Sequence, residues 1–536
     1  MKKLFLLIAM LCTLHLATEP YQQNLTKQTD GWTLPRNGKW LNDDSLEINI
    51  PRTAGWRREM NTAVFRLPVE RLRGKAIRLS GEAMAEKLNI EERRQPYFGF
   101  KFMLKITSPQ NTLYPAATSG NRSSFPWKKF LIETDIPEDA TKLEFHAGLQ
   151  DISGKVLFRN LKAEELHPLY AAPRYAAPYK LPDNFRCQYT DDIRNRPMFR
   201  GVMSPIIPKH KCSVKDLEDL ASWGANLVRW QINHPRDKTI LADPARFEAW
   251  YEERLNELDK LMPHFERLGL HVIIDMHTPP GGRYKDAAGP LPEEISNGDP
   301  AFYSRQFRMF YEDRYLESFL KLWRRIAERF KNRNMIWGYD LCNEPWQRGS
   351  VRNNYLKCQY LAAKEIRKID PHTPIIVESN TMCLPADFCY LKPLPFTNVI
   401  YQIHVYMPTR YTHQGVSPES MEQLRQGKFI RYPDCIGGLD GLRKEVAQTR
   451  LFEKKYGAII YCGEFSAIRW APGAAEYMRD VIKLCEEYQW SWTYHAYREW
   501  HGWSVEHSPD LNDNRPVPQD TDRKKVLLEG FRKNRQ

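Results

Sequence analysis

The chain has 536 residues, with 79 Lys and Arg against 66 Asp and Glu and a formal net charge of +13. That length exceeds what one ordinary hydrophobic core supports, so two domains are expected. The positive balance does not describe a nucleic-acid binder: basic residues are spread over amphipathic stretches such as "KLWRRIAERFKNRN" (Lys321–Asn334), without zinc-finger spacing, an aromatic RNP pattern or a long basic tail.

The N-terminus reads "MKKLFLLIAMLCTLHLATEP". Lys2 and Lys3 precede an apolar run that ends near Leu16, the pattern of a secretory signal peptide, assigned to residues 1–18. Export to a periplasmic or extracellular space is therefore expected. The run is shorter than the ~18 residues of a spanning helix, and no later segment is apolar enough, so no membrane span is expected. Of ten cysteines, Cys12 belongs to this segment and nine remain, an odd number that leaves at least one unpaired. None lies between Ala17 and Cys187, so a first domain there holds no disulfide. Cys342 and Cys462 sit in strand-like runs and read as small buried hydrophobes.

Residues 30–166 alternate polar and apolar positions in short runs, among them "KAIRLSGEAM", "YFGFKFMLKI", "TKLEFHAGLQ" and "GKVLFRNLKAEEL". Gly, Pro, Asn and Asp turns separate them, which predicts an antiparallel β-sandwich. Proline then recurs without helical or strand period over residues 167–185, a semi-rigid linker.

In residues 186–536 strand-like runs alternate with long amphipathic helices. The eight runs are "FRGVMS", "ANLVRWQI", "HVIIDMH", "MIWGYDLCNEP", "TPIIVESN", "NVIYQIHVYM", "AIIYCGEFS" and "WSWTYHAY". Between the third and fourth, Leu316, Phe319, Leu320, Trp323, Ile326 and Phe330 share one helical face. The pattern predicts an α/β fold, a (β/α)8 TIM barrel. A doubly wound sheet is the alternative, but its glycine-rich phosphate loop is missing after "FRGVMS".

Active sites of such barrels lie at the C-terminal strand ends. Those ends carry Arg229, Asp275 with His277, Asn343 with Glu344, His404 with Tyr406, and Glu464. Polar groups are costly inside a barrel unless they are used or paired, and so many at one end predict a site. Glu344 and Glu464 face each other across the mouth, and a carboxylate pair is the usual equipment of glycoside hydrolysis. Arg229 and Tyr406 would keep Glu464 ionised, leaving Glu344 as the acid. Pro345 cannot donate to a sheet ladder and helps end its strand.

Through "YDLCNEP" and "IIYCGEFS", residues from about Arg200 onward resemble glycoside hydrolase family 5, the cellulase family. The resemblance implies a retaining double displacement with Glu464 as nucleophile and Glu344 as acid/base. It implies that Asn343 meets the sugar 2-hydroxyl and that Arg229, His277, His404 and Tyr406 line the substrate. The family's platform Trp at the eighth strand end is replaced here: "SWTYH" puts His495 in that place, with Trp492, Trp500 and Trp503 as other stacking residues. "IDMHTPPGG" is similar to the loop of the family's exo-acting β-1,3-glucanases. The first domain resembles a carbohydrate-binding jelly roll through "HAGLQDISGKVLFRNLKAEEL", with Trp40, Trp56, Trp127 and Tyr97 as stacking candidates or core.

The expected substrate is a β-linked glucan-type polysaccharide or oligosaccharide, with β-mannan or another β-glycan as alternative. No cofactor or metal is expected. A catalytically dead carbohydrate-binding protein is the rival of another class, and retention of both glutamates argues against it. A metal-dependent hydrolase on the same barrel would use Asp275 and His277, but the first strand lacks a His-x-His run.

Overall fold

Alternation in the first third of the chain is expressed, among the described residues, as eleven antiparallel strands. In chain order they are β1 (Gln22–Asn24), β2 (Trp32–Thr33), β3 (Gly38–Trp40), β4 (Leu46–Ile50), β5 (Met60–Leu67), β6 (Ala76–Glu86), β7 (Gly99–Thr107), β8 (Thr112–Leu113), β9 (Phe125–Asp135), β10 (Lys142–Gln150) and β11 (Gly154–Glu165). One sheet runs β3-β4-β11-β6-β9, with β1 also on β11, and the other runs β2-β5-β10-β7-β8. Period two puts Leu143, Phe145, Ala147 and Leu149 of β10 into the core between the sheets, and Glu144 and His146 on the opposite face. Across that core Phe100 stacks on Phe158 at 5.6 Å, and within one sheet Phe102 meets Phe145 of the neighbouring strand edge-on at 4.8 Å. Of the proposed stacking residues, Trp40 packs edge-on against Trp32 at 5.5 Å, and the Arg159 guanidinium covers Trp127 at 4.0 Å.

The computed structural model describes residues 20–52, 59–93, 98–115, 123–165, 177–205, 209, 211–286, 305–347 and 351–535. The expected signal peptide, most of the expected linker, and Trp56 and Tyr97 lie outside them. The described end of the linker is docked: Tyr179 packs on Tyr360 at 4.9 Å and donates its hydroxyl proton to the Lys392 carbonyl at 3.1 Å.

All eight strand-like runs of the second part form strands. They are β12 (Arg200–Met203), β13 (Leu227–Gln231), β14 (His271–Asp275), β15 (Ile336–Asp340), β16 (Ile375–Glu378), β17 (Val399–Val405), β18 (Ile459–Phe465) and β19 (Ser491–Tyr494). They pair in parallel, in sequence order, and β19 closes on β12 to complete a TIM barrel. Helices pack outside. The helix Asp313–Phe330 buries Leu316, Phe319, Trp323, Ile326 and Phe330 as its period predicts, and Trp323 donates its indole proton to the Leu341 carbonyl at 3.2 Å. Truncating so buried a Trp costs about 3–5 kcal/mol.

Strand parity builds the barrel in layers. Leu227, Ile273, Trp337, Ile376, Ile400 and Tyr461 fill its lower interior, while Val228, Trp230, Val272, Ile274, Tyr401, Ile403 and Cys462 face the helices. One step up each strand, the inward positions turn polar: Arg229, Asp275, Asp340, Glu378 and Gln402 are all fully buried or nearly so. The site rests on this layer. Nine described cysteines are free, and among the described residues no helix is long and apolar enough to cross a membrane.

Candidate active site

Arg229, inward on β13, is 0 % exposed and organises the barrel mouth. It donates to Glu464 at 2.6 Å, Asp340 at 2.8 Å, Asn343 at 3.0 Å and Glu378 at 3.1 Å, and Asp275 lies 3.3 Å away. Burial works against the guanidinium charge, but Asp275, Asp340, Glu464 and Glu378 outweigh it and raise Arg229 well above its ordinary value. Burial pushes the Asp340 carboxyl up to about 6, with Arg229 opposing. Burial and Asp340 push Glu378 up, although its contacts are all donors that suit an anion.

Glu464, at the end of β18, has both oxygens taken by donors, Arg229 on one and the Tyr406 hydroxyl at 2.9 Å on the other. Burial disfavours its charge, yet His404, Arg229, His495 and His277 hold it far below the ordinary glutamate range. Glu344 follows β15 in a tight turn at φ 50°. Its backbone is held at both ends: the N–H donates to Glu378 at 2.6 Å and the carbonyl accepts from Arg283 at 2.8 Å. Its side chain meets His404 Nδ1 at 3.1 Å. Burial again works against the charge, and Glu464 adds to it, but the His404 hydrogen bond, the His404 charge and Arg283 together outweigh both, so Glu344 lies below its ordinary value. An oxygen of Glu344, a ring nitrogen of His404 and an oxygen of Glu464 all lie within 4.8 Å of one another.

A histidine relay supports Asn343. His277 Nδ1 meets Asp275 at 2.8 Å, and its Nε2 faces the Asn343 amide nitrogen at 3.2 Å. With Asp275 taking the Nδ1 proton, Nε2 accepts, and the Asn343 amide orientation follows from those two partners.

His495 reaches the same mouth beyond β19. Its ring lies 6.2 Å from Tyr406 and 5.7 Å from Trp503, and its Nε2 is 3.6 Å from Glu499. Burial works against its charge, but Glu499 and then Glu464 and Glu344 raise it above the ordinary histidine value. Trp503 also packs on His413 at 4.9 Å, and buried Arg523 holds its carbonyl at 2.8 Å. Trp492 does not belong to this group. Its indole stacks on Phe531 at 5.4 Å and donates to Glu486 at 3.2 Å, in the helix layer. Parity explains the correction: Thr493 of β19 faces the barrel interior, bonded to Tyr461, so its neighbour Trp492 faces out, whereas His495 follows the strand end.

The sequence reading missed Asp340, Glu378, Gln402, Arg283 and Glu499. Glu378 carried the signal that found Glu344, a carboxylate closing an apolar run, and Gln402 sits two residues before His404 on the same strand face. Glu499 and Arg283 lie in loops, where no period marks a direction.

Among the described residues, two groups have donor atoms within 4.8 Å of one another, Glu344 with His404 and Glu464, and Glu378 with Cys383 and His404. Each contains a carboxylate already bonded to Arg229, whose fixed charge opposes a cation there. A pair of carboxylates this close, one clamped as an anion and the other beside an imidazole, suits proton donation and nucleophilic attack across one bond.

A family model described as Cellulase (glycosyl hydrolase family 5) matches residues 195–501, more than half of the chain. Endoglucanase C of Acetivibrio thermocellus is 24% identical over 299 residues, covering 51% of this chain and 80% of that protein. Cellodextrinase A of Ruminococcus flavefaciens is 23% identical over 258 residues, covering 47% and 68%. Among solved structures, Thermotoga maritima Cel5A in complex with cellobiose is 23% identical, with a TM-score of 0.46 over 64% of this chain and 100% of that one.

Proposed function

The chain belongs to glycosyl hydrolase family 5, the cellulase family, and is an O-glycosyl hydrolase; on that premise we propose that it cleaves β-linked glucan with retention of configuration. The observation that carries the reading is the carboxylate pair, with Glu344 and Glu464 oxygens within 4.8 Å. Retaining enzymes place the two carboxyls about 5–5.5 Å apart, whereas inversion needs roughly 6.5–9.5 Å to admit a water. The endoglucanase and cellodextrinase relatives support a β-glucan substrate.

Glu464, an anion held by Arg229 and Tyr406, attacks the anomeric carbon and forms a covalent glycosyl-enzyme. Glu344 delivers its proton to the departing oxygen and then takes one from the water that releases the sugar. In the free enzyme the His404 contact favours the Glu344 anion. Bound sugar expels water and strengthens burial and the Glu464 field, both of which raise Glu344, so the complex holds the acid protonated. Asn343, oriented by Arg229 and His277, offers its amide to the 2-hydroxyl, a bond that strengthens in the transition state. His495 and Trp503 form the sugar-facing wall where the family platform stands.

We further propose that the N-terminal segment directs export, as its two lysines and apolar run suggest, and that the sandwich, residues 30–166, serves targeting rather than chemistry. Proton NMR of the first-formed anomer from a β-1,4-glucan oligosaccharide tests the mechanism. β-Product appearing first supports it, and α-product defeats it. Turnover on a panel of β-linked polysaccharides tests the substrate class.

A further inference from the structure

A closed ring of buried hydrogen bonds runs beneath the acid/base. The Glu344 N–H donates to Glu378 Oε2 at 2.6 Å. Glu378 Oε1 accepts from the Gln402 amide nitrogen, as it does from Arg229 at 3.1 Å. The same Gln402 nitrogen faces His404 Nε2 at 3.1 Å, and His404 Nδ1 returns to Glu344 Oε1 at 3.1 Å. Glu378 and Gln402 are 0 % exposed and His404 is 1 % exposed, so no water competes with these partners.

We propose that Gln402 and Glu378 are positioning residues that set the tautomer of His404 and thereby aim the proton of Glu344. This inference rests on the reading of Glu344 as acid/base.

The amide orientation decides it. Glu378 Oε1 already receives Arg229, and reversing the amide would turn its oxygen against that carboxylate. Gln402 therefore presents N–H to His404 Nε2 at 3.1 Å; the Glu378 and Glu464 carboxylates stand off at 3.6 and 3.7 Å, beyond hydrogen-bond reach, so Nε2 accepts from Gln402 and the ring proton sits on Nδ1 facing Glu344. His404 then has only a donor to offer Glu344. The carboxyl cannot spend its own proton on the imidazole, and the proton is left free for the glycosidic oxygen. Once the proton is delivered, the same Nδ1–H receives the carboxylate that must activate water.

Two further features fit a device kept for its geometry. The Gln402 amide oxygen is buried without a hydrogen-bond partner, a cost with no return in stability. Gly463 on the neighbouring strand leaves the space: a Cβ there would lie 2.3 Å from the Gln402 amide carbon. A side chain at that position would displace the amide.

The test is Gln402→Met, which keeps the volume and removes the donor. With Nε2 released, His404 can carry its proton there and accept from Glu344, turning the acid away from substrate and stabilising its protonated form. Turnover on cello-oligosaccharides, which need the acid, should fall about tenfold or more, and the basic limb of kcat should move up by about one pH unit. The glycosylation step on a 2,4-dinitrophenyl β-cellobioside, which needs little acid, should stay within about twofold. The other charged or titratable groups around Glu344 and His404 are Tyr406, Glu464, Glu378, Arg283, Lys285, His413 and His495; of these the substitution touches only Glu378, which loses the Gln402 donor and keeps Arg229 and the Glu344 N–H.

In a Glu344→Ala background Gln402→Met should add nothing, because its effect passes through the missing carboxyl. Equal losses on both substrates, an unmoved basic limb, or a further loss in the double variant would overturn the proposal. If Glu344→Ala alone leaves cello-oligosaccharide turnover intact, the acid/base reading fails instead, and that outcome is separate. Should Gln402→Met not fold, Glu378→Gln carries the same readouts: its single NH2 replaces one of the two acceptor oxygens, so a donor faces either the Glu344 N–H or the Gln402 amide and the ring breaks there.

Discussion

Glu344→Ala separates the two halves of the proposed reaction. Structurally it is mild. The Glu344 N–H to Glu378 and the carbonyl to Arg283 are main-chain contacts and remain. At φ 50° Ala is no worse placed than Glu, since both carry a Cβ. What is lost is the His404 hydrogen bond, about 1 kcal/mol, or a few degrees in Tm at most. Chemically it is severe. General acid–base catalysis contributes roughly 10²–10⁴-fold, about 3–5 kcal/mol of barrier. Cello-oligosaccharide turnover should fall by that factor. A 2,4-dinitrophenyl β-cellobioside should still glycosylate Glu464, because its leaving group needs no proton, and then stall for want of a base. Stopped-flow absorbance should show a burst of one dinitrophenolate per enzyme followed by slow turnover. Azide needs no deprotonation and is small enough for the space the carboxyl vacated within 4.8 Å of Glu464, so it should restore turnover and give β-cellobiosyl azide. Glu464→Ala should show no burst, and any azide product should be α. A burst from Glu464→Ala, or α-azide from Glu344→Ala, would refute the assignment of roles.

His495→Ala should lower kcat/KM on cello-oligosaccharides by about tenfold, the order of one ring contact, with a nearly unchanged unfolding midpoint; a large stability loss with normal kinetics would make His495 a core residue. His146, buried on the sandwich, is pushed down to about 4 by burial, so its unfolded form binds the proton first. Its stability contribution is present above pH ~6.5 and lost as pH falls toward 4, up to about 3 kcal/mol. Urea midpoints at pH 7 and 4.5 should therefore fall less for His146→Gln than for the wild type, and equal falls would count against the buried neutral imidazole. A chain beginning at Ala177, which keeps the docked Tyr179, should retain turnover on short soluble oligosaccharides; a folded but inactive product would show that the sandwich completes the site.

Much of the site was legible because strand ends are legible. Each apolar run that stops on a polar residue marks where a barrel strand leaves its lower interior, and Arg229, His277, Asn343, Glu344, His404, Tyr406 and Glu464 all announce themselves that way. Glu378 gave the same sign and was passed over, since "IIVESN" ends on a carboxylate as plainly as "YDLCNEP" does. Gln402 was readable by parity with His404, and parity on β19 turns Trp492 away from the mouth.

By itself the sequence determined the order of sandwich and barrel, the eight strands, and the polar residues that β13, β14, β15, β17 and β18 send to the mouth. These depend on local period and on burial of one strand face, both written in neighbouring residues. Only the tertiary structure decided who meets whom. Glu344 and Glu464 are far apart in the chain, and barrel closure brings their oxygens within 4.8 Å. Arg229 gathers carboxylates from four other strands because a closed barrel points all inward positions at one axis. Whether a buried carboxylate there is a nucleophile, an acid or a brace depends on the donors around it, and those come from strands whose spacing in the chain carries no record of their contact.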